Sequence, residues 1–323
     1  MKRFKNIVYF VDDRVENRVA LERAVTLAQC NRARLTVLGV LQHLPRDLQL
    51  FLAATLPANL QNFALKELRN QLALLVKPLR LKGQQIELVV RYGTPHIEVI
   101  RDVIEHNRDL LMWTAAGSSG LRAQLFGSTT MHLMRKCPCP LWAFKPGMER
   151  PFRRILAAVD PDPGDGQKLA LAAKIIALAA ALARSEGSEL WIVHVWNVYK
   201  EDMVKQWAER VRPPGVDLEN IVRAMAATHR RWLGGLVETC DLPGRGVQVK
   251  VLKGEPAQVI NALAAQRSAE LIVMGTAGRS GLDGLLIGNT AETVLSHVRC
   301  SVLAVKPEGF VSPVRLGPAR RRD

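Results

Sequence analysis

Residues 275–292 read GTAGRSGLDGLLIGNTAE and follow directly on an apolar run, LIVM at 271–274. Five glycines and one threonine stand between that run and NTAETVLSHV, where a helical pattern resumes. Glycine in an element costs conformational entropy and is tolerated where the backbone bends sharply or something approaches it closely. A strand, a glycine-rich loop and a helix start, in that order, suit phosphate: loop N–H groups and the helix N-terminus together favour an anion. A long surface turn is the plainer reading of the same residues.

The stretch has a counterpart. FKNIVYFVDD (4–13) matches RRILAAVDPD (153–162), RLTVLGV (34–40) matches ELWIVHV (189–195), and IELVVRYGTP (86–95) matches VQVKVLKGEP (247–256). DLLMWTAAG (109–117) then matches ELIVMGTAG (270–278), and CPLWAFKP (139–146) matches CSVLAVKP (300–307). The order is kept, so the chain is a repeat of one unit. The offset is 148 residues at Asp12/Asp160 and 161 from Gly93/Gly254 onward; the extra residues of the second copy fall in its first helix region and after its second strand. Residues 1–148 and 149–309 are expected as the two units, with 310–323 as a basic, disordered tail, SPVRLGPARRRD in its last part.

Each unit reads as five short apolar strands separated by segments of helical period, such as Ala20, Leu21, Ala24, Leu27 and Ala28. Strands alternating with helices imply a parallel sheet covered on both faces, and continuous apolar strands are what two-sided burial requires. The expected fold is α/β: two tandem doubly wound five-stranded parallel sheets of Rossmann-like type. In such sheets ligands lie beyond the carboxyl ends of the strands. Asp12, Asp160 and the glycine-rich loops fall at such ends.

The spacing G-x2-G-x9-G-[S/T] after the fourth strand is similar to the nucleotide-loop signature of ATP-binding universal stress proteins. In the second copy it reads Gly275, Gly278, Gly288, then Asn289 and Thr290. With the repeat and the strand-one Asp, the chain resembles a tandem universal stress protein, most like the two-domain E type, over about 4–146 and 152–308. The resemblance implies ATP or another adenine nucleotide as ligand, with Asp160 and Val195 at the adenine, Gly275, Gly278 and Gly288 cradling phosphate, and Asn289 or Thr290 adding a polar group. Asn289 stands where the family has Ser or Thr; an amide can still donate to phosphate or cap a helix. The first copy would use Asp12, Val40, Gly117, Gly127, Ser128 and Thr129, but Thr114 replaces its first glycine. Thr is a poor substitute where φ must be positive, and its branched side chain would crowd a ribose or phosphate. The resemblance further implies pairing of the halves through their last strands, LWAFK and VLAVK, as an internal pseudo-dimer, with a homodimer as a further form.

Other classes find less support. No G-x-x-x-x-G-K-[ST], H-E-x-x-H, G-x-S-x-G or H-x-G-H occurs, so no catalytic set or metal-ligand set is expected and an ATPase is the weakest reading. Net charge is +15, a basic balance that suits anionic partners, but it is scattered and lacks an aromatic-studded basic face; nucleic acid ranks third among the readings. Five cysteines without a C-x-x-C pair suit a reducing compartment, Cys137 and Cys139 reading as small buried thiols. The N-terminal apolar run, IVYFV, is short for a signal peptide, and LALAAKIIALAAALA (169–183) is short for a bilayer span, so a soluble cytoplasmic protein without a membrane role is expected. His194 lies within a strand, as a satisfied core histidine would, and His96 reads as a solvated helix residue with the nucleotide end of the sheet as the sharper option. The apolar 45–60 stretch suggests packing between halves, or an apolar ligand or partner surface; a scaffold without nucleotide is the runner-up function.

Overall fold

The computed structural model describes residues 4–12, 17–43, 60–80, 83–115, 127–145, 151–197, 218–276 and 287–316. The first half runs β1 (Asn6–Val11), α1 (Arg18–Asn31), β2 (Arg34–Leu41), α2 (Leu60–Arg80), β3 (Ile86–Tyr92), α3 (Pro95–Glu105), β4 (Leu110–Thr114), α4 (Ser128–Lys136) and β5 (Leu141–Phe144). The second repeats the order: β6 (Arg154–Val159), α5 (Gly166–Glu186), β7 (Glu189–Trp196), α6 (Leu218–Glu238), β8 (Val247–Lys253), α7 (Pro256–Gln266), β9 (Leu271–Gly275), α8 (Asn289–His297) and β10 (Ser301–Val305).

The strands form one ten-stranded sheet in the order β3-β2-β1-β4-β5-β10-β9-β6-β7-β8. Within each half all pairings are parallel, and the direction of winding reverses between β1 and β4 and between β6 and β9. Such a switch point opens a crevice at the carboxyl ends of the strands. The halves join where β5 and β10 pair antiparallel, with Val302 opposite Ala143, Leu303 opposite Trp142 and Ala304 opposite Leu141. The two carboxyl edges therefore face opposite ends of the sheet.

Burial follows the pattern of the sequence. Ile7, Val8, Tyr9, Val302, Leu303 and Ala304 are each fully buried, as central strands covered on both faces must be. One core layer lies under α1, α2, α5 and α6, the other under α3, α4, α7 and α8, and each layer runs through both halves. Trp142, Phe144 and Phe152 carry the first layer across the junction. Burying one such side chain contributes roughly 1.5–3 kcal/mol, whereas a partly exposed ion pair such as Arg23–Glu186 contributes about 0–1 kcal/mol, so apolar packing dominates the join. Lys306 adds a polar tie: its buried Nζ donates to the Met134 carbonyl at 2.5 Å, and burial brings its pKa down to about 8. α5 is long and apolar enough to cross a membrane, yet Ile175, Ile176, Ala179, Ala180 and Ala183 along it are buried in this core.

The extra residues of the second copy have a definite place. α5 has 21 residues and α1 has 14. Their left-handed C-caps, Arg32 and Gly187, are offset by the same 155 residues as the strand starts Arg34 and Glu189, so the added turns are at the N-terminus of α5, Gly166–Ala172. Asp165 caps them, its Oδ1 accepting from the N–H groups of Gln167 and Lys168, both at 3.1 Å.

One expectation needs correction. Residues 310–316 are not a free tail: Val314 packs against the second core layer and the Arg315 carbonyl accepts from Arg101 Nε at 3.3 Å. The apolar residue Val314 supplies the anchor that a composition rich in Pro and Arg conceals. Residues 317–323 lie outside the described residues, as does the 45–60 stretch apart from Leu60 at the start of α2.

Candidate functional site

In the second half a cavity of about 620 Å³ opens at the carboxyl ends of β6, β7 and β9. Asp160, Val195, Gly275, Gly288, Asn289 and Thr290 all line it. Ala158 and Met274 form its sheet side, Leu171, Ala172 and Ile175 its α5 wall, and Ile260 its α7 wall. The cavity thus has an apolar middle between two polar ends.

Asp160 makes one end. Its side chain is 52% exposed, with Lys168 Nζ at 4.0 Å and His194 Nδ1 at 3.8 Å. Lys168 is shared with Asp162 at 3.3 Å and Asp165 at 3.9 Å. Partly exposed pairs of this kind add little stability; what they do is hold the Asp160 carboxylate in place with its oxygens open to the cavity. His194 is buried and satisfied, Nδ1 donating to the Val159 carbonyl at 3.1 Å and Nε2 bonded to His229 Nδ1 at 2.9 Å. Burial, then the neighbouring His194, lowers the pKa of His229.

The N-terminus of α8 makes the other end. Gly288 is the N-cap, extended at φ −62° and ψ 144°, and has no side chain with which to cap the helix. Its own N–H donates to the Thr276 carbonyl at 3.0 Å. The first N–H groups of the helix have no intrahelical partner, and the helix dipole adds to their pull on an anion. Asn289 is not the cap, since it already sits in the first helical position and is exposed. Gly278 lies outside the described residues.

The φ of Gly275 is not positive. A Cβ there would meet Leu171 Cδ2 at 2.9 Å, so the backbone at Gly275 approaches α5 closely while it lines the cavity. In the first half the equivalent position is Thr114, which is tied into a set of buried side chains. Thr114 Oγ1 lies 2.8 Å from Tyr9 Oη, Tyr9 Oη donates to Asn17 at 3.2 Å, and Asn17 Nδ2 donates to the Asp12 carbonyl at 2.7 Å. Tyr9 occupies the repeat position of Ala157. Asp12 is only 6% exposed, so the carboxylate that would meet a ligand is covered. Val40 is half-buried, while Gly127, Ser128 and Thr129 sit at the exposed start of α4; Gly117 lies outside the described residues.

Lys168, Leu171, Asn197, Glu255 and Ile287 also line the cavity and were not singled out in the sequence. The added turns of α5 were the available signal for the first two. His96 differs from a solvated helix residue: it is half-buried, stacks on His132 with centroids 4.3 Å apart, and burial, then His132, brings its pKa to about 4. Cys137 and Cys139 are buried with their sulfurs 3.6 Å apart, and burial raises the Cys139 thiol. Among the described residues no group of three or more His, Cys, Asp or Glu side chains is placed to hold a metal ion.

The universal stress protein family model matches residues 3–145 and again 151–306. The chain belongs to the universal stress protein family. Universal stress protein E of Salmonella typhi is 26% identical over 98% of both chains, and that of Escherichia coli K12 is equally similar. A universal stress protein E homolog of Haemophilus influenzae is 24% identical over 94% of this chain and 98% of its own. Among solved structures, a Pseudomonas aeruginosa protein of unknown function superposes with a TM-score of 0.67 at 23% identity, covering 95% of this chain and 94% of that one. A universal stress protein of Archaeoglobus fulgidus gives 0.60 at 20% identity, covering 93% and 98%. These two carry the fold: tandem α/β units of the universal stress protein type.

Proposed function

We propose that this universal stress protein is a cytoplasmic stress-response binding module that holds one adenine nucleotide per chain, in its second half. The observation that carries the reading is the cavity itself, with a solvent-open Asp160 at one end and the uncapped start of α8 at the other. Its volume of about 620 Å³ is ample for a nucleotide-sized ligand. Asp160 accepts hydrogen bonds from an amine or ribose hydroxyls. Val195, Met274 and Ile260 offer apolar contact to a base, and the N–H groups of Asn289, Thr290 and Ala291 receive phosphate. The first half, closed by Tyr9 and Thr114, serves as the structural partner. The residues 1–148 and 149–309 act as an internal pseudo-dimer joined through β5 and β10.

The apolar wall of Leu171, Ile175 and Ile260 favours a second reading, an apolar ligand in the same cavity. Mass spectrometry of small molecules released from the purified chain, followed by calorimetric titration with ADP, ATP and a long-chain fatty acid, separates the two. One equivalent of nucleotide per chain is expected. Binding of the fatty acid alone, or two equivalents of nucleotide, would overturn the proposal.

A further inference from the structure

Among the described residues, the charges that line the cavity do not by themselves suit an anion. There Asp160, Glu255 and Glu292 face one ammonium, Lys168, which three carboxylates already share. Glu292 stands in the first turn at the anion end, where its N–H donates to the carbonyl of the N-cap Gly288 at 2.9 Å. A phosphate chain at the start of α8 would lie within one helical turn of it.

Glu292 has a partner from the other half. Arg135, in the last turn of α4, donates from Nη2 to Glu292 Oε1. The Lys306–Met134 bond holds the same last turn of α4 against the end of β10. The repeat makes the contact informative. At the offset of 161, Arg135 corresponds to Ser296 and Glu292 to Met131, so the reciprocal contact carries no charge. The half that receives the arginine is also the half with the added turns of α5, the open Asp160 and Gly275. With the two side chains 33% and 40% exposed, the pair contributes little to holding the halves together.

We infer that Arg135 belongs to the anion end of the second half's site, where it cancels the charge of Glu292 and admits the phosphate chain of a nucleotide. The inference rests on the nucleotide reading above. It makes the site incomplete without the first half, which contributes a cation across the junction. Arg135 is a positioning residue here: it acts on the ligand through Glu292.

Calorimetric titration of the full chain with ATP and with adenosine tests it, using R135A, E292Q and R135A/E292Q. R135A is expected to weaken ATP about tenfold and adenosine less than about twofold, the difference shrinking as salt is raised. E292Q is expected to leave ATP binding unchanged or tighter, and the double variant to return to within about threefold of the unaltered chain. An unchanged melting temperature for R135A separates a charge effect from a loss of fold. Equal weakening of ATP and adenosine by R135A, or a double variant as weak as R135A, overturns the inference alone. If the unaltered chain binds neither ATP nor adenosine, the nucleotide reading fails and this inference with it.

Discussion

Gly275 allows the wall of the cavity to be tested separately from its ends. A Cβ at this position would sit 2.9 Å from Leu171 Cδ2, 3.5 Å from Leu171 Cγ and 3.6 Å from Ile175 Cδ1. The first distance is shorter than side chains tolerate, so in Gly275→Ala something must move. The obstructing atom is the end of a leucine that borders open space, and the cavity is that space. The stability cost therefore falls near the low end of the usual overpacking range, about 1 kcal/mol. The displaced leucine takes up ligand volume instead. Relieving a clash of this size against a bound nucleotide costs about 1–2 kcal/mol, or roughly five- to thirtyfold in affinity. Leu171→Ala in the Gly275→Ala background removes the obstruction and should recover most of the binding. Urea unfolding and ADP calorimetry on the unaltered chain, the Gly275→Ala variant and the double variant give both quantities. Unchanged affinity in Gly275→Ala would refute the reasoning, as would a stability loss above about 3 kcal/mol, which would show that Leu171 has nowhere to go.

Four further outcomes follow from the geometry. Thr114→Gly alone should give the first half no nucleotide affinity, because Tyr9 still fills the space; a second equivalent of ADP binding to that variant would contradict this. Asp165→Ala removes the cap of α5 and should lower stability by about 1 kcal/mol in urea melts while weakening ADP binding, since the frayed turn carries Lys168. Asp102 is fully buried and accepts from Arg108 Nε at 3.0 Å and Arg91 Nη2 at 3.2 Å; Arg91 keeps Glu105, but Asp102→Ala leaves the buried Arg108 guanidinium facing no carboxylate and should cost about 3–5 kcal/mol. Lys306, with its pKa lowered to about 8, is charged in both states below that pH, where its burial counts fully against the fold. Between about 8 and its unfolded value the unfolded chain binds more protons, so stability should rise with pH there, on the order of 3 kcal/mol in total. Lys306→Met should flatten that part of the stability–pH curve relative to the unaltered chain.

The fold was legible because the repeat made every strand visible twice. A five-residue run such as LLMWT says little alone, but aligned with LIVMG at a fixed offset it becomes the fourth strand of a unit. Pairing through the last strands came from the resemblance, and the register of β5 with β10 agrees with it. At the site, Asp160, Val195, Gly275, Gly288, Asn289 and Thr290 were legible because strand ends and loop spacing mark them. Lys168 and Leu171 were not, because they lie on a helix whose added turns look from sequence like any alanine-rich core segment. Tyr9 was hidden for a different reason. A tyrosine among IVYFV satisfies the strand pattern, and only the fold brings its hydroxyl beside Thr114 and Asn17. The approach of Leu171 to Gly275 was also hidden, because a glycine after a strand signals close approach without saying to what.

The antiparallel join of β5 to β10 also fixes how the chain can polymerise. A sheet that ends in an unpaired strand has a free bonding valence, and each unit alone would present its last strand as one. Here those two valences are spent on each other, and among the described residues β3 and β8 are the borders. β8 carries the exposed Lys250 and Lys253 and β3 the exposed Glu87, charges of the kind that discourage another strand from adding. The duplicated chain thus consumes its two central edges internally and keeps charged strands at the borders of its ten-stranded sheet.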